Sequence, residues 1–193
     1  MALSKIDVAN MLTGATPVAN GGTGLTSGTT NQFLKFTGST TLASAADNGK
    51  VLQIQETFLS SNLTQTNDTA VADAITDTIT LSSTSNYIMA EAFVNYQQFG
   101  ANSGSTPEFQ LFITDGSDNV KSTQQLLDYL KNDSSYNQHG TTLFAYWSPG
   151  STSQQTVKLR FSQDNNGRVQ LYGNSSGATT GRACKLKLFE IAA

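Results

Sequence analysis

Alternation of apolar and polar positions is the clearest signal in the chain, and it sets in at residue 50. Val51 to Phe58 places Leu52, Ile54, Glu56 and Phe58 on one parity. Ile88, Ala90, Ala92, Val94 and Tyr96 alternate cleanly, with Glu91 and Asn95 on the opposite face. Phe109, Leu111 and Ile113 repeat the pattern, as do Leu143, Ala145 and Trp147, then Val157, Leu159 and Phe161, and finally Cys184, Leu186 and Leu188. A side-chain period of two is the mark of a half-buried strand. Ile79 and Leu81 predict a further short strand, and a turn at Asp164-Asn165-Asn166-Gly167 leads into another at Val169 and Leu171. Turns at Asp115–Asn119 and Ser148–Gly150 separate the remaining runs. Only residues 122–132, with Leu126, Leu127, Tyr129 and Leu130, predict one or two helical turns. About eight short strands without a βαβ rhythm predict an all-β head over residues 50–193, an antiparallel β-sandwich or jelly roll.

The opposite strand faces are not uniformly polar. Met89 and Phe93 share a face with Glu91, and Phe144 and Tyr146 point away from Leu143 and Trp147. Two readings fit: contact between subunits, or ordinary packing beneath loops.

Residues 1–49 are patterned differently. Gly14, Gly21, Gly22, Gly24, Gly28 and Gly38 recur too often for a helix, and Pro17 interrupts it further. The apolar residues there, including Leu3, Ile6, Val8, Met11 and Leu12, are too sparse to close a core within one chain. The segment is either a flexible linker or a strand assembly completed by other chains. Gln32–Thr37, then Gly38-Ser39, then Thr40–Ala43 reads as a tight hairpin or strand repeat.

Composition supports ordered β-structure. Charged residues make up only 13% of the 193, and the formal net charge is -3, whereas disordered chains usually combine low hydrophobicity with high charge. Ten Phe, six Tyr and one Trp supply core material. Eleven Lys and Arg against fourteen Asp and Glu leave no basic footprint, which argues against a nucleic-acid partner. No apolar run is long enough to cross a bilayer, and the first residues lack a secretory apolar core, so neither membrane insertion nor export is expected. The single Cys184 has no intramolecular partner and fits a buried core position.

Candidate chemistry is thin. One histidine, His139, lies in a polar stretch, and no zinc, phosphate-loop or nucleophile-elbow motif occurs. Glycosidic hydrolysis needs two carboxyls held together. Asp115 with Asp118, and Asp68 with Asp73, are the pairs near enough in sequence. Turn hydrogen bonding explains the first pair, and calcium at Asp115, Asp118 and Asn119 is the competing reading. The expectation is therefore a protein that is not an enzyme and holds no cofactor or metal. For binding, exposed aromatics are the candidates: Tyr129, Tyr136 and Tyr172, with Trp147 more suited to the core and His139 alongside in the polar loop from Lys131 to Gly140.

Several stretches resemble bacteriophage tail-fibre and related virion fibre proteins. Met1-Ala2-Leu3-Ser4-Lys5-Ile6 is similar to the start of many such chains, and Thr16–Gly24, TPVANGGTG, to the glycine-threonine element of fibre shafts. NQFLKFTGSTTLASAADNGK, from Asn31 to Lys50, looks like the short repeat leading into a terminal domain. KVLQIQETF, ITLSSTSNYIMAEAFVNY and KLKLFEIAA resemble a trimeric jelly-roll head. The resemblance implies a homotrimer with an extended N-terminal trimeric stalk, carried on a virion. Residues 1–24 would anchor it to other virion proteins through Leu3, Ile6, Val8, Met11 and Leu12. Residues 25–49 would form a short β stalk. The head would adhere to a host surface glycan or protein, with Tyr129, Tyr136, His139 and Tyr172 as contacts. A capsid decoration or head-fibre protein with a stabilising role is the alternative.

Overall fold

A computed structural model describes residue 29 and residues 32–38, 41–45, 49–100, 108–127, 136–174 and 182–193. The chain divides into two compact units, Met1–Asn48 and Gly49–Ala193. In the first unit, β1 (Phe33–Phe36) and β2 (Leu42–Ala45) pair antiparallel, with Phe36 opposite Leu42 and Phe33 opposite Ala45. Thr37 N donates to Thr41 O at 2.9 Å and closes the turn. The predicted hairpin is present.

The second unit holds eight strands: β3 (Val51–Phe58), β4 (Leu63–Ile79), β5 (Tyr87–Gly100), β6 (Glu108–Asp115), β7 (Val120–Leu127), β8 (Tyr136–Trp147), β9 (Gln155–Leu171) and β10 (Lys185–Ile191). All their pairings are antiparallel. They resolve into two four-stranded layers. One runs β3-β10-β5-β8. The other runs β4-β9-β6-β7. Consecutive strands change layer at every step except the β6–β7 hairpin. That order is a jelly roll, and it makes the fold all-β with an antiparallel sandwich as its head. The layers join along one corner, where β5 leaves β10 after Phe93 and takes up β9 from Tyr96 onward.

The inward parity builds the core. Ile88, Ala90, Ala92 and Val94 of β5, Leu186 and Leu188 of β10, and Leu143 and Ala145 of β8 face Phe109, Leu111 and Ile113 of β6 and Val157, Leu159 and Phe161 of β9 in one buried cluster. The rings bridge the layers: Tyr96 lies 4.7 Å from Phe109, which meets Phe161 edge-on at 6.4 Å. Burying each large aliphatic or aromatic side chain contributes about 1.5–3 kcal/mol.

Three expectations need correction. Of the residues expected to be helical, 122–127 belong to strand β7, because Gln125 and Leu126 pair with Gln110 and Phe109 of β6, and 128–132 lie outside the described residues. Asp164–Gly167 is not a turn but lies within β9, at the point where that strand exchanges β6 for β5 as neighbour. The short strand around Ile79 is the end of the 17-residue β4, and Leu81 lies beyond it.

Candidate interaction surfaces

The two layers differ on their outer faces. Along β3-β10-β5-β8, cross-strand register assembles the row Ile54, Phe189, Met89 and Tyr146. The neighbouring row is Glu56, Lys187, Glu91 and Phe144, followed by Phe58, Lys185, Phe93 and Thr142. Ile54, Phe144 and Tyr146 are 57%, 59% and 56% exposed, and Leu52 and Phe58 are exposed beside them. The Tyr87 and Tyr146 rings stack at 4.8 Å on the same side. The charges inside this apolar field pair with each other: Lys187 Nζ lies 3.0 Å and Lys185 Nζ 3.7 Å from Glu56 Oε2. The Glu56 carboxylate raises the Lys187 amine above its ordinary range, and Glu91 adds to this.

The outer face of the other layer carries an ion network, with Val71 and Val120 also exposed on its strands. Arg160 Nε lies 2.6 Å from Asp73 Oδ1, and its Nη1 lies 3.0 Å from Asp118 Oδ2. Lys158 Nζ lies 2.8 Å from Asp118 Oδ1 and 3.3 Å from Asp73 Oδ2. Period-two patterning makes both sheets, but side-chain chemistry on the outward parity differentiates them.

Asp73, Asp115 and Asp118, considered for hydrolysis or calcium, make hydrogen bonds and ion pairs of their own. Asp115 Oδ1 accepts from Ser117 N (2.9 Å), Asn119 N (3.0 Å) and Asn119 Nδ2 (3.1 Å), and Lys121 Nζ sits 3.0 Å from Oδ2. Partial desolvation opposes ionisation, yet these hydrogen bonds outweigh it and bring the Asp115 carboxyl down to about 2. Asp118, at φ 65°, closes the turn and faces Lys158 and Arg160 instead. Asp73 belongs to the same ion network, and the Asp68 side chain lies outside the described residues. Among the described residues, no three His, Cys, Asp or Glu side chains gather as a metal site.

Residues expected to bind are only partly brought together. Leu3, Ile6, Val8, Met11, Leu12 and Tyr129 lie outside the described residues, as does the Tyr136 side chain. His139 lies in β8 rather than a loop, opposite Tyr96, with their rings 5.5 Å apart. Tyr172 Oη donates to Gln97 Oε1 at 2.6 Å and accepts from Gln138 Nε2 at 2.9 Å. His139 and Tyr172 thereby border one small cleft of about 200 Å³, with Asn95, Tyr96, Gln138, Gly140 and Arg182 completing its lining. A side chain at Gly140 would approach Asn95 Oδ1 within 2.9 Å, so glycine keeps that floor open. Trp147 is half-buried against the core, with the Lys121 amine 5.8 Å above its ring. Cys184 is fully buried, and desolvation pushes its thiol up to about 11, so it is a core residue, not a nucleophile.

Glu190 is a structural residue that the sequence pattern does not flag. It is 1% exposed, and its carboxylate accepts from Ser82 N, Ser82 Oγ and Asn86 Nδ2, each at 2.6 Å, and from Gln53 Nε2 at 2.7 Å. In the N-terminal unit, Phe33, Leu34 and Phe36 are exposed on both sides of the hairpin.

No family model and no curated protein matches the chain. Among solved structures it is similar to infectious bursal disease virus, Gt strain, at 9% identity and TM-score 0.39, over 82% of this chain and 42% of that one. The VP2 subviral particle of the same virus shares 9% identity at TM-score 0.35, with the same coverages of 82% and 42%. The disulfide-linked pili of Bacillus endospore appendages share 12% identity at TM-score 0.28, over 78% and 97%. The chain thus spans less than half of the viral chains. Likenesses this distant decide nothing about function, and the jelly roll rests on the strand pairing itself.

Proposed function

We propose that this chain is a structural protein of a bacteriophage particle. In this reading it forms a short homotrimeric fibre, attached through its N-terminal segment, whose jelly-roll head adheres to the host surface. The β1–β2 hairpin is the observation that carries it. Strands of four residues in a two-stranded ribbon are marginal in water by themselves. Phe33 and Phe36 are 56% and 64% exposed and fall on opposite parities. Further strands would bury this exposed apolar surface, and three copies of one stalk would supply them. The head suits adhesion, not turnover: Asp115, Asp118 and Asp73 are engaged in turn and ion-pair contacts, and Cys184 is sealed in the core.

Immunogold labelling of intact particles tests the placement. Label on a projecting appendage, together with blocking of particle adsorption by the purified protein, is the expected result. Label confined to the capsid shell, without effect on adsorption, would reassign the chain to a decoration role. Absence from particles would end the virion reading.

A further inference from the structure

We infer that the cleft beside Tyr172 is a binding site for an acidic sugar, a saccharide unit carrying a carboxylate, an inference that rests on the host-surface adhesion proposed above. Its volume of about 200 Å³ is below the roughly 300–1,000 Å³ of pockets for drug-sized ligands, so it admits one sugar ring with its substituents. Gly49 N donates to Ala192 O at 2.8 Å, and β5 starts beside that point with Tyr87 opposite Ile191. Asn95 and Tyr96 follow along the strand, about 26 Å further on at about 3.3 Å per residue. The cleft therefore lies at the end of the head away from residue 49.

Its hydrogen-bonding groups are held in place by the fold. Gln138 Nε2 donates to Tyr172 Oη at 2.9 Å, and Tyr172 Oη donates to Gln97 Oε1 at 2.6 Å, which leaves Gln138 Oε1 to accept from a ligand. Asn95 Nδ2 donates to the Arg182 carbonyl at 3.0 Å. Asn95 Oδ1 is thereby held at the floor, 2.9 Å from where a side chain on Gly140 would begin. These two amide oxygens accept from sugar hydroxyls. The exposed His139 ring, with the Tyr96 ring 5.5 Å away, adds an aromatic wall for the C–H side of a sugar ring.

Charge selects the acidic class. Arg182 is the permanent cation of the lining, and among the described residues no carboxylate lines the cleft. Lys121, Lys158, Arg160, Lys185 and Lys187 of the head each face an Asp or Glu carboxylate, whereas Arg182 makes no ion pair among the described residues. A guanidinium binds a carboxylate through two parallel hydrogen bonds, a geometry that a neutral hydroxyl does not offer. A hydroxyl-rich ring bearing one carboxylate therefore satisfies the amide oxygens and the arginine together.

Saturation-transfer NMR titrations of the full chain test this. The probes are methyl glycosides of glucuronic, galacturonic and N-acetylneuraminic acids, set against the methyl glycosides of glucose and galactose and the neuraminic methyl ester. At least one acid is expected to bind roughly tenfold tighter than its neutral counterpart. Arg182→Gln is expected to erase that preference. Gly140→Ala, which pushes the Asn95 amide oxygen off the floor, is expected to weaken binding roughly fivefold. No preference for any acid, a preference that survives Arg182→Gln, or binding unchanged in Gly140→Ala would overturn the site. Blocking of particle adsorption separates this inference from the reading beneath it. If the wild-type protein blocks adsorption and Arg182→Gln blocks it equally well, the cleft assignment falls and adhesion stands. A wild-type protein without effect on adsorption overturns the adhesion on which the assignment rests.

Discussion

Glu190 shows how one carboxylate fixes a region that patterning leaves open. It sits on β10 at a parity otherwise taken by Leu186 and Leu188, and its oxygens gather Gln53, Ser82 and Asn86 from two other parts of the chain. Asn86 Oδ1 in turn accepts from Ala193 N at 3.3 Å. Glu190→Gln places an amide donor among donors that need an acceptor, and is expected to cost about 1–3 kcal/mol in urea unfolding. Burial opposes ionisation of Glu190, but its four donors outweigh that and lower its affinity for protons below the ordinary 4.5. Asp115 is lowered likewise, from 3.8 to about 2. Both groups bind protons more readily unfolded than folded, so their stabilisation is complete above the ordinary carboxyl range and is lost as pH falls below it, for Asp115 toward about 2. Thermal melts across that range are expected to fall steadily with acid, and Asp115→Asn to flatten the lower part of the slope. Gly173 is fixed by space: a methyl there would fall on the Ser61 backbone. Gly173→Ala is expected to destabilise the head by about 1–3 kcal/mol, read as a lowered denaturation midpoint.

At the scale of elements, the strands that were legible are those with apolar residues on every second position. β3, β5, β6 and β10 read directly, because one or both faces of each are apolar. The long β4 did not, since Leu63–Ile79 is mostly Thr, Asp, Asn and Ala, and its pairing with β9 holds it in place despite weak patterning. β7 misled for a specific reason. Leu126, Leu127 and Leu130 mimic helical spacing, while the pairing of Leu126 with Phe109 on β6 dictates a strand. The Asp-Asn-Asn-Gly run of β9 carries turn chemistry, yet it marks the corner where the strand passes between neighbours. The hairpin gives this scale its prediction. Phe33→Ser/Phe36→Ser removes exposed apolar surface from the hairpin, and is expected to weaken trimers at least tenfold in dissociation constant, measured by dilution in light scattering. No change would detach the stalk from assembly.

Across the whole molecule, the two layers of the sandwich share one core but meet their surroundings differently. Met89 and Phe93 beside Glu91, and Phe144 beside Tyr146, already signalled an apolar outward parity. The sequence alone did not reveal that register aligns them with Ile54 and Phe189 into one field, because register depends on contacts far apart in the chain. The cleft beside Tyr172 was half visible. Its aromatic member stood out, whereas Asn95 and Arg182 join it only through the corner at which β5, β9 and β10 meet. Assembly of three identical chains is the claim on which the stalk and the fibre reading both depend. Sedimentation equilibrium of the full-length protein at micromolar concentration tests it most directly. The account predicts a single species at three times the 20.5 kDa chain mass; a monomer under the same conditions would contradict it.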